Sequence, residues 1–435
     1  MELAEKIAEF VVNTEYSNLD DKVIKEVKRR ILDSIGVALA AKDALPAKII
    51  RNTIKLYPGN VPTLTGELTS IDFATFYNSF LIRYLDFNDT YLSKEPLHPS
   101  DLLGGLFALG YYLDSKGTDI ILAASIGYEI GVRLCDSSSL RARGIDHVVF
   151  LGIAAAAAYA KLLSLDFEKT LNAISLALVP NIALRETRSG ELSMWKGAAA
   201  ANAARNAIFA TLLAYNGFTG PKKPFTGKFG LINVILKGDF DISKFSGLNK
   251  PEGILKTHIK KYPVEYHAQA AVELAKRIKY EGEINKIILE TYEAAKTILA
   301  DTEDKWRPRN RETADHSLPY IFAVSLLKRD FWLESYDLIN DEKVISLMKK
   351  IEVVEVPEYT RVYADELPIK AIIYTDKGKF EDEVRVPRGH ARNPMSDEEL
   401  NEKFLRLTNR KDLISVISNL ENIKVKELVR SITKL

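Results

Sequence analysis

Alanine-rich stretches with helical spacing dominate the chain up to about residue 250. The segments AAAAAYAKLLSL and KGAAAANAARNAIFATLLA begin at Ala154 and Lys196, and Val27, Ile31 and Ile35 fall on one face of an earlier helix. Alanine has the highest helix propensity, and its small side chain lets helices approach closely. Strand signals are scarce in this part of the chain. The sequence therefore predicts a large helical domain with buried central helices.

The pattern changes after about residue 256, where β-branched runs begin to alternate with helical stretches. INKIILETY (284–292) predicts a strand before a helix, and KKIEVVEVPEY (349–359) predicts another strand. IKAIIYTDKGKFEDEVRVP (369–387) is typical of a hairpin that turns around Asp376-Lys377-Gly378. Beyond Asn393 the helical pattern returns in SDEELNEKFLRLTN, where Ser396 and Glu399 fit a capping box.

These patterns predict a mainly α protein in which a smaller α+β lid domain is inserted into an all-helical domain. We expect the helical domain to comprise residues 1–255 and 395–435, and the lid to comprise residues 256–394. A cleft between such domains would be a natural ligand site.

Charge and cysteine content narrow the classes of function. Sixty basic and 59 acidic side chains give a formal charge of +1, so no net field favours nucleic acid or an anionic membrane. The single cysteine excludes an internal disulfide and thiolate-held iron-sulfur clusters, and it indicates a reducing cytoplasm. The most apolar run, 148–160, is shorter than the roughly 20 residues of a membrane helix. We expect a soluble, cytoplasmic protein that binds a small molecule.

Nucleotide and metal motifs do not fit this sequence. The nearest approach to a phosphate loop, from Gly220 to Lys228, has the wrong spacing and continues into Phe229. His98 and Asp101 alone are weak evidence for a metal, since a site needs further ligands. We expect no metal and no cofactor.

The stretch YLDFNDTYLSKEPLHPSD (84–101) places Asp86, Asp89, His98 and Asp101 among turn-forming residues. Five of the six histidines lie in comparable settings, and imidazole is suited to proton transfer near neutral pH. The alternative for any single histidine is a hydrogen-bonded structural role. The five are His98, His147, His267, His316 and His390.

Cationic groups form a second set of candidates. LRETRSGELSMWKG (184–197) holds Arg185, Arg188 and Lys196 just before an alanine-rich helix, where a helix N-terminus favours carboxylates. HIKKYPVEYH adds Lys260 and Lys261. Several cations of this kind would suit a polycarboxylate substrate, although a solvated basic turn is the ordinary alternative.

Five separated motifs together resemble the MmgE/PrpD family, whose members include 2-methylcitrate dehydratase and cis-aconitate decarboxylase. The resemblance covers essentially the whole chain, and GELSMWKG and YPVEYHAQ look like the dehydratase branch. The motifs are RYLDFNDTYLSKEPLHPSD, NIALRETRSGELSMWKGAAAANAARNA, KKYPVEYHAQAAVELA, TADHSLPY and GHARNPMSDEELNEKF.

The resemblance implies a helical domain with an inserted lid, a homodimer, metal-free chemistry and a site between the domains. His316 and Tyr320, in the lid motif, are candidates for substrate contact or dimer packing, and a structural packing role is the alternative. The positions that match the family's catalytic residues are Asp89, His98, His147, Lys196, Lys261 and His267.

The resulting hypothesis is dehydration of 2-methylcitrate, and also of citrate, by side chains alone. Lys196 and Lys261, helped by Arg185 or Arg188, would hold the substrate carboxylates and stabilise enolate-like charge. Asp89 and one of two histidines complete the scheme.

In that scheme Asp89 orients His98, and His98 or His147 exchanges the protons at carbon and hydroxyl. Two alternatives stay open at this point. One is decarboxylation of cis-aconitate, and the other is a non-catalytic dimer that binds small acids.

Overall fold

A computed structural model describes residues 2–434 of the chain. Most of these residues are helical, which confirms the prediction of a mainly α protein. The α-helices of the described residues are Leu3–Asn13 (α1), Asp21–Ala41 (α2), Leu45–Ile54 (α3), Ile71–Tyr84 (α4), Leu103–Leu113 (α5), Gly117–Ser137 (α6), Val148–Leu162 (α7), Phe167–Leu178 (α8), Trp195–Tyr215 (α9), Leu231–Val234 (α10), Gln269–Arg277 (α11), Glu293–Leu299 (α12), Glu303–Trp306 (α13), Arg311–Ala314 (α14), Leu318–Lys328 (α15), Glu342–Met348 (α16), Pro357–Val362 (α17), Asp397–Thr408 (α18), Lys411–Ser418 (α19) and Val425–Thr433 (α20).

The strands form two sheets within the described residues. The first is a short antiparallel pair that the sequence did not predict, because each strand has only two residues. The second has the order β4-β3-β5-β6, with β3 parallel to β4 and antiparallel to β5. The strands are Val61–Pro62 (β1), Leu68–Thr69 (β2), Ile284–Thr291 (β3), Ile351–Glu355 (β4), Ile369–Thr375 (β5) and Gly378–Val384 (β6).

The chain divides into two compact units. Unit 1 comprises Met1–Arg188, Met194–Thr257 and Ser396–Leu435, and unit 2 comprises Ser189–Ser193 and His258–Met395. No sequence signal indicated that the five residues Ser189–Ser193 group with unit 2.

Unit 1 is a bundle whose central helices are apolar on most faces. Nearly every residue of α7 is buried, and α7 packs against α6, α8 and α9. Small residues permit this close packing: a Cβ on Gly105 would lie 2.1 Å from the hydroxyl oxygen of Tyr159. The predicted stripe Val27, Ile31 and Ile35 of α2 is fully buried. Helix α18 begins with the predicted capping box of Ser396 and Glu399.

Unit 2 is a mixed sheet with helices α11 and α15 against one face. Ile287, Leu289 and Ile373 point into this core and are fully buried. The predicted hairpin is confirmed, since Thr375 pairs with Gly378 across a two-residue turn. The opposite face of the sheet carries charged residues, as alternation along strands requires.

Between residues 2 and 434 no helix is both long enough and apolar enough to cross a membrane.

Candidate active site

The loop between α4 and α5 begins at Asp86, which has a left-handed backbone with φ of 51°. This conformation is uncommon outside glycine, and two buried cations hold it. A guanidinium nitrogen of Arg83 lies 2.6 Å from Asp86 Oδ1, and Nζ of Lys196 lies 3.1 Å from Oδ2. Lys403 supports the same turn by donating from Nζ to the carbonyl oxygen of Phe87 over 2.9 Å. Lys196 is thus tied to the start of the predicted site loop.

The carboxylate of Asp89 has a different place from the one the sequence suggested. It is completely buried, where Oδ2 accepts a 2.6 Å hydrogen bond from the Tyr128 hydroxyl and Oδ1 accepts one of 3.0 Å from the Ser100 N–H. Arg30 Nε lies 3.7 Å from Oδ2. The residue does contact His98, but through its backbone carbonyl oxygen rather than its side chain. We infer that the carboxylate of Asp89 fixes the loop.

His98 is held through its Nδ1 atom. That nitrogen lies 2.8 Å from the carbonyl oxygen of Asp89 and 3.1 Å from Oγ1 of Thr90. A carbonyl oxygen only accepts, so Nδ1 carries the hydrogen and Nε2 of the neutral ring is the atom that can take up a proton. The ring of His147 is close, with its centroid 5.7 Å from that of His98. The structure therefore brings two predicted histidines together.

His147 is buried beside a carboxylate that it shares with an arginine. Its Nδ1 lies 3.0 Å from Asp146 Oδ1, and Arg188 Nε lies 3.2 Å from Asp146 Oδ2. Burial lowers the pKa of His147 to about 3, because the attraction of Asp146 is offset by the nearby arginines. Its Nε2 has no hydrogen-bond partner among residues 2–434. The ring is therefore neutral, with an acceptor lone pair on Nε2.

Backbone and side-chain contacts place the arginines of the RETRSG segment (185–190) beside this histidine. The N–H of Arg185 donates to the carbonyl oxygen of Gly144 over 2.9 Å, two residues before Asp146. The side chain of Arg188 then reaches Asp146 with Nε and the carbonyl oxygen of Lys196 with Nη1, the second over 3.2 Å. Arg188 consequently positions Asp146 and the start of α9.

Lys196 is the second residue of α9, as the sequence predicted, and it is buried. The unsatisfied N–H groups and the dipole of a helix N-terminus favour anions at this position. Burial lowers the pKa of Arg185, and repulsion from Arg141 adds to the effect. This concentration of cationic groups in unit 1 suits a ligand that carries several negative charges.

Asp101 is the remaining acid of the loop and is fully buried. Burial raises its pKa to about 7, against the opposing attraction of Arg83. Asn88 Nδ2 donates to Asp101 Oδ1 and to Ser100 Oγ, each over 2.8 Å. Asp101 therefore takes part in hydrogen bonds within the loop, which accounts for its presence in this acid-rich stretch.

Unit 2 holds a second histidine with a carboxylate at Nδ1. Nδ1 of His267 lies 2.8 and 3.0 Å from the two carboxylate oxygens of Glu265, which also accepts from the His267 N–H over 2.7 Å. Burial would raise the pKa of Glu265, but the attraction of the His267 ring outweighs it and the pKa falls to about 2. His267 Nε2 lies 3.3 Å from the hydroxyl oxygen of Tyr363.

Lys261 lies in the segment just before this histidine. Its backbone N–H and that of Tyr262 donate to Oε1 of Gln269, each over 3.1 Å. The amide of Gln269 returns hydrogen bonds to the carbonyl oxygens of Tyr262 and Val264. The buried Gln269 thereby fixes the backbone that carries Lys261.

His316 and Tyr320 occupy different settings in unit 2. His316 hydrogen-bonds through Nδ1 to the buried carboxylate of Asp315. Tyr320 is 1% exposed, packs against Phe331 and donates from its hydroxyl to the carbonyl oxygen of Ser335 over 2.6 Å. The place of Tyr320 corresponds to the packing alternative of the sequence analysis.

The acids that accompany these histidines were not among the residues predicted from the sequence. Asp146 and Asp315 directly precede a histidine, and Glu265 precedes one by two residues. An acid at either spacing can reach Nδ1 of the ring, so this local pattern was the available signal. Tyr363 carried no such signal, because it lies 96 residues from His267.

Comparison with protein families and with curated proteins covers nearly the whole chain. Residues 5–243 match the model of the MmgE/PrpD N-terminal domain, and residues 262–419 match that of the MmgE/PrpD C-terminal domain.

Similar curated proteins come from bacteria and fungi. The 2-methylcitrate dehydratase of Escherichia coli K12 is 30% identical over 89% of this chain and 85% of its own length. The 2-methylcitrate dehydratase of Cupriavidus necator is 32% identical over 83% of this chain and 81% of its own. An alkylcitrate dehydratase from a fungal species is 28% identical, with 89% and 84% covered. The chain therefore belongs to the MmgE/PrpD family.

Proposed function

We propose that this chain is a hydro-lyase that dehydrates 2-methylcitrate, and also citrate, to the corresponding cis-aconitate. The observation that carries the proposal is the buried His98 ring, whose Nδ1 is committed to the carbonyl oxygen of Asp89 so that Nε2 can accept a proton. Cations surround the same loop, and relatives named for dehydration of methylcitrate and alkylcitrate match most of the chain.

His98 is the base in this proposal, and His147 is a neutral partner. A base must hold the proton that it removes, and a ring whose pKa is lowered to about 3 is poorly suited to that task. The unpartnered Nε2 of His147 can instead accept a hydrogen bond from the substrate hydroxyl. On this ground we propose His98 for the role that the sequence left open between the two.

Lysine and arginine side chains supply the positive charge for the reaction. We propose that Lys196 and Lys261 stabilise the carboxylates and the enolate-like charge that develops when the carbon-bound proton leaves. Arg185 adds charge, while Arg188 acts through its contact with Asp146. A metal is not required in this scheme, and one cysteine cannot hold the iron-sulfur cluster that could otherwise bind the hydroxyl.

We further propose that unit 2 is the inserted lid domain and that its residues take part in the reaction. In sequence, 258–395 lies between two segments of unit 1, as an inserted domain does. The single cysteine is consistent with the reducing cytoplasm, where we place the enzyme.

The test is an assay of purified protein with 2-methylcitrate, citrate and cis-aconitate in the presence of a metal chelator. Absorbance of the conjugated product reports dehydration, and release of CO₂ reports decarboxylation. We expect dehydration of 2-methylcitrate at a rate that the chelator does not change. Release of CO₂ from cis-aconitate without dehydration would overturn the proposal, as would complete loss of turnover with chelator.

We also propose that the enzyme is a homodimer that pairs through α9 and the end of α8. Val179, Ile182 and Phe209 are exposed on this face, and Phe209 alone is 57% exposed. A 2.8 Å hydrogen bond from Asn206 Nδ2 to Asn181 Oδ1 joins α9 to the segment that follows α8. Exposed apolar groups clustered in this way mark association surfaces.

Sedimentation of Phe209→Glu tests this surface. The variant should sediment as a monomer where the wild type sediments as a dimer. Phe229→Glu is the matched control, because Phe229 is exposed but lies outside α8 and α9. Equal masses for both variants and the wild type would exclude this face.

A further inference from the structure

His267 of unit 2 is enclosed by partners at both ring nitrogens. Glu265 occupies Nδ1 with both carboxylate oxygens, and the Tyr363 hydroxyl lies at Nε2 over 3.3 Å. The His267 side chain is only 2% exposed. Glu265 therefore orients the ring, and the Tyr363 hydroxyl contacts the other ring nitrogen.

Tyr363 is placed to extend this pair. It is only partly buried, and its ring stacks on that of Tyr292 with centroids 5.1 Å apart and planes 22° from parallel. The ring of His267 lies 5.7 Å from Tyr363 on a similar plane. Packing by two rings fixes the phenol while its hydroxyl stays beside Nε2 of His267.

We propose that Tyr363 is a further catalytic residue, which donates its proton to the hydroxyl that leaves the substrate. The inference rests on the proposed dehydration. The carbon-bound proton goes to His98, and its electron pair forms the new double bond. The C–O bond then breaks, the oxygen leaves with the bonding pair, and the Tyr363 proton converts it to water.

The proton on Tyr363 is restored by His267. In the protonated ring Nδ1–H donates to Glu265 and Nε2–H donates to the phenol oxygen, so a proton passes from Nε2 to that oxygen as the phenol releases its own. The neutral His267 ring then recovers a proton from solvent, to which the base returns the proton taken from carbon. No oxidant or other reactant is needed.

The charges around His267 favour this direction of transfer. The Glu265 carboxylate stays ionised, since its pKa is lowered to about 2, and both of its oxygens face Nδ1 of His267. Lys260 and His316 also interact with Glu265. In unit 1 the corresponding acid, Asp146, is shared with Arg188 and its histidine stays neutral.

The variant Tyr363→Phe tests the proposal, with Tyr292→Phe as its matched control. Both residues lie in the same stack, but the Tyr292 hydroxyl has no hydrogen-bond partner among the described residues. We expect Tyr363→Phe to lose roughly 10²–10⁴-fold in kcat for 2-methylcitrate with little change in KM. Tyr292→Phe should keep a rate close to that of the wild type.

A fluorotyrosine at position 363 separates catalysis from packing. Fluorination lowers the pKa of the phenol, so the alkaline limb of the kcat profile should move to lower pH, which a merely structural role would not cause. Equal rates for Tyr363→Phe and Tyr292→Phe, or an unmoved alkaline limb, would overturn the inference alone. A wild-type protein that dehydrates none of the acids would overturn the proposed function and, with it, this inference.

Discussion

His147 in unit 1 and His267 in unit 2 share one design and differ in their surroundings. Each ring has a nearby acid at Nδ1, at 3.0 Å for Asp146 and 2.8 Å for Glu265. Arg188 shares the first acid, Asp146. Nearby arginines also repel positive charge on the His147 ring, which stays neutral. Glu265 turns both oxygens to Nδ1 of His267, and no arginine shares it in the way that Arg188 shares Asp146 among the contacts described above. An acid beside a histidine therefore does not define its role until the other charges are counted.

The largest expected effect is at His98, the proposed base for the carbon-bound proton. His98→Gln should lose roughly 10²–10⁴-fold in kcat/KM, as expected for a lost general base. Product absorbance measures the rate, and an unchanged circular dichroism spectrum shows that the helices persist. If most activity remains, another group is the base. The difference between the two units then does not reflect the catalytic mechanism.

The next effect compares the two acids. Glu265→Gln should lower kcat by roughly 10²-fold or more, because an amide no longer orients the His267 ring that is proposed to return a proton to Tyr363. Asp146→Asn should act chiefly on KM, since the proposal has the neutral His147 only accept a hydrogen bond from substrate. Steady-state kinetics of both variants separates these outcomes. A loss of kcat in Asp146→Asn together with a change only of KM in Glu265→Gln would exchange the roles proposed for the two acids.

A third prediction concerns stability and pH. The pKa of His147 is lowered from 6.5 to about 3, so between those values the unfolded chain binds a proton that the folded chain does not. Stability therefore falls as the pH falls from 6.5 toward 3, by up to about 1.4 kcal/mol per pH unit. Glu265 contributes in a lower window, from its usual 4.5 to about 2.

Urea unfolding at pH 7 and pH 5 measures this difference. The variant His147→Gln should lose less stability than the wild type over that interval, because its position 147 no longer titrates. The opposing contribution of Asp101, whose raised pKa favours the folded state at lower pH, is common to both proteins. Identical pH dependence would show that His147 is not the neutral ring described above.

The smallest effect is expected at Tyr320. Tyr320→Phe removes the hydrogen bond to Ser335 and should lower the free energy of unfolding by about 1 kcal/mol. The rate of dehydration should not change, because the hydroxyl is bonded inside unit 2. A rate loss without a stability loss would return Tyr320 to the substrate contacts that the family resemblance implied.

Local patterns predicted most of the secondary structure. The strand at 284–291, the hairpin around Asp376-Lys377 and the capping box at Ser396 follow from periodicity and turn chemistry that act over a few residues. The β1–β2 pair was missed because two-residue strands leave no periodic pattern. Membership of Ser189–Ser193 in unit 2 depends on tertiary contacts that no local pattern encodes.

The sequence predicted only part of the candidate site. Chemistry-bearing residue types identified His98 and Lys196, but their partners depend on the folded chain. The carboxylate of Asp89 bonds to Tyr128, 39 residues away, and so does not face the His98 ring. Tyr363 meets His267 across 96 residues, a distance over which sequence patterns give no contact.

The central proposal is that His98 removes the carbon-bound proton, and hydrogen exchange tests it most directly. Variants His98→Gln and His267→Gln are incubated with 2-methylcitrate in D₂O, and deuterium at the carbon of the substrate is measured alongside dehydration. We predict that His267→Gln continues to exchange the carbon-bound hydrogen while dehydration is lost, and that His98→Gln loses both. Exchange that persists in His98→Gln and disappears in His267→Gln would contradict the account.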